Sequence, residues 1–189
     1  MKTKQILVYG FITVILVLAF TACSKSGGGS SGGGGKSLNS ATELMEYLNK
    51  QPANSPDQPI KVAIKANDMM FKEIVGVIKG ANKYVSIDFS GTDLSMIPEA
   101  AFSWCETLTG ITLPNSVTVI GGGAFQWCTS LASTTIPASV TKFGSFAFEG
   151  WTASQSINIQ GKANREATIA AGWEEIWDKG CEAQINYGQ

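Results

Sequence analysis

Between residues 97 and 148 one short pattern is written three times at a fixed interval, and nothing else in the chain restricts its fold as strongly. Ile97-Pro98-Glu99-Ala100-Ala101-Phe102 returns as Ile120-Gly121-Gly122-Gly123-Ala124-Phe125 and as Phe143-Gly144-Ser145-Phe146-Ala147-Phe148, each time 23 residues on. The same step joins Trp104 to Trp127, Cys105 to Cys128, Leu108 to Leu131, Leu113-Pro114 to Ile136-Pro137 and Val117 to Val140. A period in the twenties with apolar residues locked to it predicts a solenoid, because one such unit cannot close its own core and must be covered by its neighbours.

Stacking sets the expected side-chain directions. Leu108, Ile111 and Leu113, then Leu131, Thr134 and Ile136, point inward, while Thr112 and Thr135 face solvent. Phe102, Phe125 and Phe148 form an aromatic ladder inside, and Cys105 and Cys128 stack in adjacent coils. A further step from Thr134 and Ile136 lands on Ile157 and Ile159 of the alternating segment 156–160, so a fourth rung is expected. Backwards, Ile87-Asp88-Phe89 lies 24 residues before Ile111-Thr112-Leu113, and Leu94 lies 23 before Val117, which places one extra residue in the loop between Phe89 and Leu94. Asp88, Thr112, Thr135 and Asn158 then fall on successive rungs of one face, about 4.8 Å apart, as a polar row open to a partner.

The segment Ile-Gly-Gly-Gly-Ala-Phe, preceded by Leu113-Pro114-Asn115-Ser116-Val117 and followed by Trp127-Cys128 and Leu131, resembles the 23-residue leucine-rich repeat of the bacterial BspA-like surface proteins. The resemblance covers residues 94–150 and implies an α/β leucine-rich-repeat fold on a cell surface, with adhesion to host matrix or to other cells as the associated role. It also implies that Cys105 and Cys128 are small apolar residues filling a turn, and the reduced pair is favoured over a disulfide, which their spacing would equally permit.

At the N-terminus, Lys2 and Lys4 precede an uncharged run of 15 residues from Ile6 to Phe20 and then Thr21-Ala22-Cys23. The run is short for a membrane span of about 20 residues, and the arrangement is that of a secretory signal over residues 1–22. The small residues before Cys23 resemble the lipobox of bacterial lipoproteins, which makes Cys23 the expected lipidation site. Residues 24–37 are almost wholly Gly, Ser and Lys, a composition that buries nothing and reads as a flexible tether. The Gly-Lys36-Ser37 at its end is not a phosphate-binding loop, because Ser30 stands where that motif needs Gly and no strand precedes it.

Composition removes several function classes. The chain has no histidine, which excludes Ser-His-Asp and Cys-His catalysis and His-ligated zinc. Arg165 is the one arginine, and residues 97–150 carry only Glu99, Glu106, Lys142 and Glu149 as charges, so the clustered cations that nucleic-acid binding requires are missing. With Cys23 assigned to lipid, Cys105, Cys128 and Cys181 leave an odd number of thiols. Glu166, Glu174 and Glu175 are the remaining carboxylates with catalytic potential, and no apolar pocket is evident beside them. No cofactor, metal or enzymatic activity is expected.

Helices and strands flank the repeats. Ser40 and Glu43 form a capping box before a helix at 41–49, the prolines Pro52, Pro56 and Pro59 follow, and Ile60, Val62 and Ile64 alternate as a strand. Asn67 or Asp68 opens a second helix with Met70, Phe71, Ile74, Val77 and Ile78 on its apolar stripe, and a strand at 84–89 completes a parallel crossover. At the far end a helix at 164–178, carrying Trp173 and Trp177 as core, and a last strand over 181–187 are expected. The whole reads as a signal (1–22), an acylated Cys23 with tether (23–37), an N-terminal α/β cap (38–93), leucine-rich repeats (94–160) and a helix-strand cap (161–189). The expected function is that of a lipid-anchored module in the bacterial cell envelope, exposed at the outer membrane, which binds a protein or glycan at the cell surface. A structural or antigenic surface protein without a dedicated ligand, or a glycan-binding module, is the alternative.

Overall fold

The computed structural model describes residues 35–189. The expected signal, the expected lipidation site Cys23 and most of the expected tether lie outside these residues. Lys36 and Ser37, assigned above to the tether, instead belong to strand β1 (Lys36–Leu38), which pairs in parallel with β2 (Ile60–Ile64). Between them lies α1 (Ala41–Lys50), where Ser40 Oγ accepts from Glu43 N–H at 3.1 Å. The Glu43 carboxylate reaches back to Asn39 N–H at 2.8 Å, one residue beyond the position a capping box predicts.

Asn67 caps α2 (Asp68–Gly80), whose buried stripe is Phe71, Ile74, Val75 and Ile78. Met69 is 84 % exposed and takes no part in that packing, whereas Met70 packs at the core's edge. The chain returns in β3 (Val85–Asp88), parallel to β2 as a crossover connection requires.

Three coils follow, each with two strands. β4 (Met96–Ile97), β6 (Val119–Ile120) and β8 (Lys142–Phe143) form one three-stranded parallel sheet in steps of 23 residues. On the other side run β5 (Leu108–Thr112), β7 (Ser133–Ile136) and β9 (Ser156–Ile159). Thr134 pairs with Ile157 and Ile136 with Ile159, the fourth rung that the period predicts. The turns after β4, β6 and β8 are also joined from coil to coil, by Phe102 N–H to Ala124 O (2.8 Å) and Phe125 N–H to Ala147 O (2.9 Å). This is an α/β repeat fold built on parallel sheets.

The core follows the expected directions. Phe102, Phe125 and Phe148 are fully buried and stack at 5.7 Å (5°) and 5.5 Å (10°). Cys105 and Cys128 are buried free thiols, and Cys128 Sγ donates to Phe102 O at 3.0 Å. One coil later Trp151 stands at the cysteine position, and its Nε1 makes the matching bond to Phe125 O at 2.9 Å. The position thus serves to satisfy a buried carbonyl of the preceding coil, a task that uses the thiol hydrogen.

Two expectations are corrected. The row β3, β5, β7 is not one continuous sheet, because β5 pairs with β3 but not with β7. The register along β3 and β5 shifts from Val85↔Leu108 to Ser86↔Gly110, a bulge that inserts Thr109. The bulge brings Leu108 and Ile111 to the same side although they are three positions apart, and the extra residue between Phe89 and Leu94 restores the step of 23. A Cβ on Gly110 would lie 2.5 Å from Ser86 Oγ, so a side chain there would turn Ser86 aside.

At the C-terminus the helix is α3 (Arg165–Ala170), not 164–178. It stops before Gly172, whose φ is +100°, and residues 174–180 continue the coil ladder instead: Glu174 N–H reaches Phe143 O at 2.8 Å, and Phe146 and Ala147 N–H reach Ile176 and Trp177 O. Trp173 and Trp177 are buried and pack edge to face on each other at 5.1 Å, with Trp173 over Phe143 at 4.5 Å. The unmet backbone of the last coil outweighs the helical periodicity of this segment. The chain ends in β10 (Gln184–Tyr187), parallel to β9.

Candidate interaction surface

The four residues expected to form a row lie on β3, β5, β7 and β9, and they fall into two pairs. Asp88 is partnered with Thr112 and Thr135 with Asn158. Between the pairs, where β5 and β7 separate, a cavity of about 410 Å³ opens, lined by Thr112, Leu113, Asn115, Thr135, Pro137 and Gln160 among others. Thr112 and Thr135 are exposed, and Asp88 and Asn158 are half-buried. The carboxylate of Asp88 is turned to its own loop, where Oδ1 accepts from Ser90 N–H at 2.8 Å. That contact is a local turn of the kind Asp makes two residues ahead, so Asp88 contributes less to the row than its position suggests.

Asn158 gains a partner that the 23-residue period does not find. Asn186 on β10 pairs with it in register, and its Nδ2 donates to Asn158 Oδ1 at 2.9 Å. The step from 158 to 186 is 28 residues, because α3 and the turns after it are inserted between the strands. Strand alternation in 184–187 is the only sequence signal for it.

The opposite side carries a larger cavity of about 530 Å³ over the glycine-rich turns. Glu99, Gln126, Glu149 and Glu174 line it together with Gly122, Gly123 and Gly144. Gln126 Nε2 donates to the Glu149 carboxylate, which occupies both groups. Among the described residues no group of three or more His, Cys, Asp or Glu could hold a metal ion. Glu166, Glu174 and Glu175 are exposed.

The turn of each coil adds a feature whose repeat is visible in the sequence but whose exposure is not. Trp104 and Trp127 stack face to face at 5.1 Å and 11° on the outside of the coils. Trp104 is 62 % exposed. Both have left-handed backbones, with φ of +59° and +57°, and the equivalent residue of the next coil is Gly150 at +81°. The strain is held by coil-to-coil bonds at 2.8 Å, from Trp104 N–H to Gln126 O and from Trp127 N–H to Glu149 O. Thiol chemistry is suppressed nearby: burial, and then the neighbouring Cys105, push the Cys128 thiol up to about 12, and burial also raises Cys105.

Among the described residues no helix is long and apolar enough to cross a membrane. No curated protein matches the chain. Residues 80–168 match the family described as BspA type Leucine rich repeat region (6 copies). The match spans α2's end, the three coils, the fourth rung and the start of α3, and with the 23-residue pairing of parallel strands it makes this part of the chain a BspA-type leucine-rich repeat region.

Proposed function

We propose that this protein is a lipid-anchored surface module of a bacterial cell envelope whose leucine-rich repeats bind a macromolecular partner, and that it is not an enzyme. In this reading residues 1–22 direct export, Cys23 carries the lipid, and the Gly/Ser segment tethers a short solenoid at the outer membrane surface. The α/β segment before the coils and the helix-strand segment after them act as its caps, covering apolar surface that terminal coils would otherwise expose. The partner is a protein or glycan on a host matrix or another cell, and nucleic acid is not among the candidates.

The observation that carries the proposal is the exposed hydroxyl pair Thr112 and Thr135, flanking a cavity within a BspA-type repeat region. Weak hydrogen bonds, each contributing about 0.5 to 1.5 kcal/mol, suit attachment by many anchored copies acting together. Thr112→Lys with Thr135→Lys places two solvated cations on this face. The double variant is expected to lose attachment to matrix-coated or cell-coated surfaces while melting where the wild type melts. Attachment that survives in a folded, surface-exposed double variant would refute the strand face as the binding surface. Cys23→Ser is expected to move the protein from the detergent phase to the aqueous phase, and a wild type already wholly aqueous would remove the anchor.

A further inference from the structure

We infer that the Trp104–Trp127 stack is a second binding site, for one ring of a neutral glycan, which stacks on Trp104 and continues the aromatic column by one rung. Nothing in the folding of the coil asks for an exposed indole at this position. A left-handed backbone disfavours an L-residue, and the same position two coils on is Gly150, so the turn closes without a ring. Trp127 has a packing task, since a Cβ on Gly150 would lie 2.5 Å from its ring. Trp104 covers Trp127 on one side and remains 62 % exposed.

The column stops at Trp104, since the residue one step before it, Ala81, is the C-cap of α2 and belongs to no coil turn. A cavity of about 330 Å³ lies beside Trp104, lined by Lys79, Ser103, Trp104, Cys105, Glu106 and Thr107. That volume is at the lower end for ligand sites and admits a single ring, not a helix or strand of a protein. The rim combines an ammonium donor, a carboxylate acceptor and two hydroxyls. Ser103 Oγ already donates to Gln126 Oε1 at 3.3 Å and keeps its lone pairs free to accept. One cation beside one carboxylate gives no net charge for an anion or a cation to answer. An apolar ring face edged by hydroxyls, as a pyranose presents, matches an aromatic platform with such a rim. The site is separate from the strand face and stands independently of that assignment.

The test uses the full chain in a polyoxyethylene detergent, which has no sugar headgroup, titrated with soluble hexasaccharides of glucose, mannose, xylose and N-acetylglucosamine. At least one is expected to bind and to change tryptophan fluorescence. Trp104→Gly, which suits a left-handed backbone, is expected to fold and to bind about tenfold more weakly or worse, whereas Met69→Gln, an exposed change at the far end of α2, leaves this binding unchanged. Hydroxyl-radical footprinting of the wild type supplies a readout that needs no variant: the bound sugar is expected to protect Trp104 against oxidation, with buried Trp151, Trp173 and Trp177 as unreactive references. No binding by any hexasaccharide, unchanged affinity in folded Trp104→Gly, or sugar binding without protection of Trp104 would each overturn the assignment. Binding of a protein partner that Trp104→Gly abolishes, with no sugar bound, would assign the platform to a protein instead.

Discussion

Phe125→Ala removes the middle ring of the inner column, and the structure sets how much that costs. The side chain is fully buried, with Phe102 at 5.7 Å on one side and Phe148 at 5.5 Å on the other, both nearly parallel to it. Loss of transfer free energy accounts for about 1.5 to 3 kcal/mol. Two aromatic contacts add about 0.5 to 1.5 kcal/mol each. The space cannot close by sliding the coils together, since their spacing is held by the bonds from Phe102 N–H to Ala124 O and from Phe125 N–H to Ala147 O. The loss therefore belongs near the top of the range for truncated core aromatics, at about 4 to 5 kcal/mol. For a domain of this size that corresponds to a fall of roughly 8 to 20 °C in Tm. Urea unfolding followed by circular dichroism, with Thr112→Ala as the exposed control expected within about 0.5 kcal/mol, measures the difference. A loss below about 1.5 kcal/mol, or equal losses for the two variants, would refute the idea that the stacked coils depend on this column.

Further outcomes follow from single positions. Thr134→Val should stabilise by about 1 kcal/mol in the same assay, because Thr134 Oγ1 is buried without a partner and the matching positions hold Ile111 and Ile157. Gly150→Ala should destabilise by about 2 kcal/mol or more, since its φ is +81° and the new Cβ would meet the Trp127 ring; unchanged stability would contradict the turn geometry. In native protein, maleimide followed by mass spectrometry should label Cys128 and Cys105 far more slowly than Cys181, which is only half-buried. Cys128 is held protonated up to about 12, against 9.0 for an ordinary thiol, so the unfolded state releases its proton first as pH rises. Stability from this group is complete below pH 9 and declines from pH 9 towards 12, and Cys128→Ala should flatten that alkaline decline.

The repeat was legible because stacking demands it. A side chain that must meet its equivalent in the next coil recurs at the coil length, so Phe102, Phe125 and Phe148, the strand pairs of β7 and β9, and the outward threonines could all be placed by counting 23. The crossover before the coils was equally open to view, since its caps and alternation are local. What counting could not supply depends on how neighbouring segments compete for the same backbone groups. The step of 24 from Ile87 to Ile111 records the bulge at Thr109, but no apolar position records that β5 and β7 part and divide the polar row. The segment 171–178 has helical spacing but is drawn into the ladder, because the final coil's amides and carbonyls need partners more than α3 needs length. Asn186 reaches Asn158 only through an insertion of irregular length. The step of 23 from Trp104 to Trp127 says nothing of exposure, and only the packing decides that Trp127 covers a glycine while Trp104 faces a cavity.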